Sequence, residues 1–109
     1  MYFTMTKDLI SFPGSAMGHI PREDFPAVSE ASHDVVREAK RAGVWVLRGG
    51  INEDVPSITV SGDATVSSET YPQTIGFNGG LTVLEVATKE EALRWAAKIA
   101  VACRCGQEL

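Results

Sequence analysis

No run of apolar residues in this 109-residue chain approaches the ~18–20 that a membrane-spanning helix requires. Its start, Met1–Asp8, has neither the basic beginning nor the long apolar core of a secretory signal, so the expected location is the cytoplasm. Basic charge is also short: ten Lys and Arg stand against fourteen Asp and Glu, a net charge of −4. The basic residues are scattered, and the densest local group, Arg37, Lys40 and Arg41, is offset by Glu38. A nucleic-acid surface needs clustered cations to neutralise phosphates, so no nucleic-acid partner is expected. Only two histidines and two cysteines occur, at no spacing that makes a metal or haem site, so neither metal nor cofactor is expected. Cys103 and Cys105, read as residues of one strand, point to opposite faces, which discourages a disulfide between them. Gly49–Gly50 and Gly79–Gly80 lack the Lys-Ser/Thr and the glycine spacing of phosphate loops and read as turns.

What remains has the balance of an ordinary globular protein, with 44% hydrophobic and 22% charged residues, and residues 1–109 fit one domain. Met1–Thr6 is rich in β-formers and reads as a first strand. Lys7–Pro21, with two prolines and two glycines, reads as a long loop. A helix follows from Asp24 or Phe25, with Pro26 in its first turn and Gly43 as its terminator. Val28, Ser32, Val35, Ala39 and Ala42 share one stripe of it, while His33, Arg37 and Lys40 lie on the far side. Val44–Arg48 reads as a second strand, apolar on both faces and therefore covered on both. Ser57–Val60 and Ala64–Ser67 form a hairpin around Ser61–Gly62–Asp63. Glu69–Phe77 reads as irregular. Leu81–Ala87 is a further strand, and Thr88 with Glu91 three residues on opens a second helix. That helix places Ala92, Leu93, Ala96, Ile99 and Ala100 inward, with Trp95 at its edge. Gln107–Leu109 is read as the start of a last strand.

The order is β-α-β, hairpin, β-α-(β), which predicts an α+β domain on the ferredoxin-like split βαβ plan. Both helices would cover one sheet face. The other face has nothing left in the chain to cover it, and a second copy is the simplest cover, so a homodimer with sheets face to face is predicted.

Three stretches carry a resemblance. They are the start Met1–Thr6, the Arg41–Ala42–Gly43–Val44 exit of the first helix leading to Gly49–Gly50, and the last third. There, Gly79–Gly80–Leu81 to Val86 is followed by Glu91–Ala92–Leu93–Arg94–Trp95–Ala96. On these the chain resembles the YCII-related family, including its Asp-Gly-Pro-Phe branch. The resemblance implies a dimeric α+β barrel with a cleft bounded by the partner. It implies a small enzyme or ligand-binding protein, with relatives of the same fold acting on lactones and aromatic breakdown products. The Asp-Gly-Pro-Phe motif is absent, the nearest stretch being Ser68–Pro72. Ser32 stands where some members carry a helix histidine, and His33 is about 100° further round, so the His–Asp pair of those members is missing.

Candidate site residues stand beside plainer readings. His19, in the long loop, can serve as a base near neutral pH or be incidental. Asp54 and Glu53 can supply an acidic group or simply solvate a turn. His33 and Asp34 are helix neighbours whose side chains diverge. Ser32 either bonds back to a helix carbonyl or faces a ligand. Arg48 holds a carboxylate or ends a solvated strand. Tyr71 and Trp45 can wall a pocket, with Trp45 equally suited to core or dimer packing. The expected function is binding, or cofactor-free turnover, of a small polar or anionic metabolite near Ser32, Arg48 and Tyr71. The alternative is a non-catalytic regulatory or assembly module acting through its dimer surface.

Overall fold

The computed structural model describes residues 5–52, 54–72 and 78–109. The elements are β1 (Thr6–Phe12), two 3-10 turns (Gly14–Met17 and Arg22–Asp24), α1 (Phe25–Arg41), β2 (Trp45–Gly50), β3 (Thr59–Val60), β4 (Val66–Ser67), β5 (Gly80–Val86) and α2 (Lys89–Cys103). The chain is mixed α+β, with a three-stranded antiparallel sheet and two helices. No helix among the described residues is long and apolar enough to cross a membrane.

In the sheet β5 lies between β1 and β2 and runs antiparallel to both. β1 and β2 are therefore parallel in direction and separated by a strand, with α1 making the crossover. Glu108 extends the other side: its N–H and carbonyl bond Ser11 at 2.7 and 2.8 Å, an antiparallel bridge along β1. The last strand expected from Gln107 onward is reduced to this bridge.

The strand described at this end of the chain reaches further than the sequence expectation. Met1–Thr4 lie outside the described residues, and Lys7–Phe12, read as loop, is strand. Its register explains why: Leu9 faces Val83, Ile10 faces Thr82 and Lys7 faces Glu85, where an ion pair closes at 3.7 Å. Pairing with β5 selects the window that puts Ile10 in the core, where it is fully buried.

β2 also departs from expectation. It is an edge strand of the described sheet, and within the single chain the face that carries Leu47, 46% exposed, is uncovered. Gly49–Gly50 belongs to the strand, opposite Leu81 and Gly80. The register slips between Trp45 and Leu47, a bulge that leaves Val46 without an opposite residue.

The core lies between the sheet and the two helices. Ile10, Leu84 and Val86 from the sheet meet Ala39 of α1 and Ala92, Trp95, Ala96 and Ile99 of α2. Trp95, expected at the edge of α2, is buried, while Leu93, expected inward, is 49% exposed. A stripe through positions 92, 95, 96, 99 and 102 turns Leu93 outward. Ala42, past the last turn of α1, is exposed as well. Both helix boundaries follow local chemistry. The Thr88 hydroxyl accepts from the Glu91 N–H at 3.1 Å, and the Glu91 carboxylate accepts from the Ala87 N–H at 3.3 Å. Gly43 takes φ 75°, the left-handed turn that ends α1.

The hairpin β3–β4 forms as expected and pairs Thr59 with Ser67 and Val60 with Val66. Of the segment Glu69–Phe77, residues 73–77 lie outside the described residues.

Candidate functional site

A cleft of about 460 Å³ opens between α1 and the β2–β5 half of the sheet, within a single chain. Its size suits a small molecule, for which ~300–1,000 Å³ is usual. Small residues line it: Ala39 from α1, and Gly49 and Gly50, beside which a side chain would meet nothing within 4 Å. Its floor is buried and apolar, with Leu84, Ala39, Val28, Trp95 and Ile99 all under a tenth exposed. Phe12, Met17 and Phe25 wall one end.

That end is held by tight packing. A side chain on Gly80 would come within 2.5 Å of the Phe12 ring, and one on Gly79 within 2.6 Å of the Pro13 backbone. The Asn78 side chain accepts from the Gly14 N–H at 2.9 Å, tying the turn after β1 to the start of β5.

Arg48 and Ser32, both chosen from sequence, meet in this cleft. Arg48 Nη1 donates to Ser32 Oγ at 3.4 Å, and Ser32 Oγ donates to the Ser29 carbonyl at 3.1 Å. Ser32 bonds back to its own helix, and it also lines the cleft. Arg48 is exposed and stands at the mouth, above the apolar floor. It is the one charged side chain among the described residues lining the cleft, and none of those is a histidine or a carboxylate.

The bulge at Val46 makes this geometry. In a regular strand, Trp45 and Arg48 are three apart and point to opposite faces. With one residue bulged out, Trp45 pairs with Leu84 and Arg48 with Thr82, so both reach the helix side and line the cleft. Leu47 falls on the open face beside Val83 and Leu9.

Tyr71 does not join them. It is 75% exposed, lies beyond β4, and is absent from the described cleft lining. The polar turn between β2 and β3 and the hairpin itself carry that part of the chain away from the helices. His19 is exposed on the turn after β1 and does not line the cleft. Asp54 is exposed in a turn in which its N–H donates to Asn52 Oδ1 at 3.0 Å. Glu53 lies outside the described residues. His33 is half-buried rather than solvent-facing, and Asp34 pairs with Arg37 instead of with it.

Sequence reasoning missed Cys103. It sits in the last turn of α2, not on a strand with Cys105, and it lines the cleft. Both thiols are free. Burial pushes the Cys103 thiol up, with Cys105 adding to the rise and the Arg48 cation opposing it. The helical spacing from Trp95 and Ile99 was the signal that could have placed it. Among the described residues no group of three or more metal-ligating side chains assembles.

The fold and cleft define a small α+β protein with an apolar pocket and one cation at its mouth. Neither a protein-family model nor a curated protein matches the chain in sequence.

Proposed function

We propose that this chain binds a small anionic metabolite with an apolar body, its carboxylate held at the mouth by Arg48 and Ser32. The observation that carries this is the meeting of one guanidinium, with its forked donors, and an otherwise apolar cleft. A purely polar ligand would leave its hydroxyls unpaired against Leu84, Trp95 and Ile99. Binding is preferred to acid–base turnover because His19 and Asp54, the candidate acid–base groups, stand outside the cleft.

The finer architecture we infer is a ferredoxin-like split βαβ domain, supported by the spatial order Glu108 bridge, β1, β5, β2. With it goes the YCII-related resemblance and its dimeric α+β barrel. Exposed Leu9 and Leu47 on the open sheet face support a second copy there. The cleft lies on the helix side of the sheet, away from that open face. The non-catalytic assembly module is the second reading, favoured by the exposed apolar residues that follow β2.

Amide chemical-shift titrations with phenylacetate and hexanoate, against phenylacetamide and hexanamide, test the binding reading. A charged hydrogen bond contributes about 1.5–3 kcal/mol, so the acids should bind roughly ten- to hundredfold tighter than the amides. Shifts should cluster at Ser32, Arg48 and Trp45, and Arg48→Gln should erase the acid preference while leaving amide binding unchanged. Bound ligand should also slow alkylation of Cys103. Equal affinity for acid and amide, or shifts away from these residues, would overturn the assignment.

A further inference from the structure

The region between β2 and β5 differs from the rest of the chain in charge and in burial. Residues 51–79 contain four acidic residues, Glu53, Asp54, Asp63 and Glu69, and no basic one. The remaining ten acidic residues of the chain equal its ten basic ones, so the net charge of −4 belongs to this region. Between Asp54 and Pro72 no residue is buried, and Val55, Ile58, Val60, Val66 and Tyr71 are each 57–75% exposed. The radius of gyration is 16.1 Å, against about 13 Å for a compact domain of this length. The segment is thus an arm. Among the described residues its strands pair only with each other, and an isolated two-stranded hairpin is marginal in water. The arm needs a cover that its own body does not supply.

The complement of an acidic, apolar arm is an apolar edge with spare cations, and the body carries one. Among the described residues β2 has a strand neighbour on one side only, and Leu47, on the open sheet face beside that edge, is 46% exposed. At its start, Lys40 lies over the Trp45 ring at 5.8 Å, with Arg41 next to it in sequence at the end of α1. Both cations are exposed, and neither has a carboxylate partner among the described residues. An open strand edge with unspent hydrogen-bonding groups invites pairing from another chain.

We propose that the arm, residues 54–72, docks on the β2 edge of a second copy of this chain, its carboxylates meeting Lys40 and Arg41 there. The contact is reciprocal, as a two-fold dimer requires. Asp54 and Glu69 supply the outward charges. Asp63 is occupied within the arm, where its carboxylate accepts from the Thr65 N–H at 3.0 Å.

Sedimentation velocity on three samples of the full chain tests this. The native chain should be dimeric at tens of micromolar. D54K/E69K and K40E/R41E should each weaken self-association at least about tenfold, because exposed attractive pairs become repulsive ones at both copies of the contact. Mixing the two variants should restore a heterodimer, since each reversed arm then meets a reversed edge. The milder K40Q/R41Q, which puts no anion at the helix end, should weaken association by a smaller factor. A native chain that stays monomeric at 100 micromolar overturns the second copy as the occupant and leaves the arm to a different macromolecule. Reversed variants that dimerise as tightly as the native chain, or a mixture that does not recover, overturn the contact itself. None of these outcomes depends on the cleft or its ligand.

Discussion

The helix-covered sheet and the arm between β2 and β5 solve the same problem in opposite ways. In the body, Ile10, Leu84, Val86 and Trp95 are buried in one cluster between sheet and helices. In the arm, side chains of the same apolar kind stand in solvent, and order comes from local hydrogen bonds. Thr59 Oγ1 donates to the Glu69 carbonyl at 2.6 Å, the Ser61 N–H bonds the Thr65 carbonyl at 2.9 Å, and Asp63 caps the turn. The body is stabilised by area removed from water, the arm by turn chemistry. Mutational cost should therefore split sharply between them.

Leu84→Ala should be the most damaging change, costing about 2–5 kcal/mol because buried apolar contact is lost and the space left behind relaxes only partially. Val60→Ala in the arm should stay within about 0.5 kcal/mol when melted at concentrations low enough to remove association. Comparable losses in both would show that the arm has a buried core of its own. Glycine substitutions sharpen the contrast on a smaller scale. Gly79→Ala drives a methyl into the backbone of Phe12 and Pro13, and overpacking of this kind costs about 1–3 kcal/mol. Gly62→Ala meets nothing within 4 Å and should leave the denaturant midpoint unchanged. A neutral Gly79→Ala would mean that β1 and the start of β5 can separate without cost.

The smallest effect separates the regions by pH. Hydrogen bonds from Thr65 hold the Asp63 carboxyl below its ordinary value. A lowered folded pKa stabilises the fold above the unfolded value and loses that contribution as pH falls through the folded one. Below about pH 4, where an ordinary Asp titrates, protection of the Thr65 amide should begin to fall while that of the Leu84 amide does not. Simultaneous loss at both sites would tie the arm to the body more closely than the packing indicates.

Much of the body was legible because its signals are local. The Thr88–Glu91 cap, Pro26 at the start of α1 and Gly43 at its end each depend on a few neighbouring residues, as does the hairpin around Gly62 in the arm. Ser32 was legible as a polar break in an apolar helical stripe, and Arg48 as a cation beside glycines. The strand over Thr6–Phe12 was not, since Lys7–Phe12 leads into a proline- and glycine-bearing stretch that reads as loop, and only pairing with β5 makes it a strand. Tyr71 was misplaced for a related reason: an aromatic side chain signals an apolar surface without saying which one.

By itself the sequence determined two amphipathic helices, an apolar strand before the second, a hairpin between them, and a net negative charge. Periodicity, capping and charge act over a few residues and need no partner. Only the tertiary structure decided that β5 is central, that β2 is an edge, and that a bulge at Val46 turns Trp45 and Arg48 to the same side. It also placed Cys103 in the cleft and the acidic hairpin outside the core. Those outcomes depend on which strand pairs with which and in what register, and a shift of one residue reverses the face of every side chain that follows.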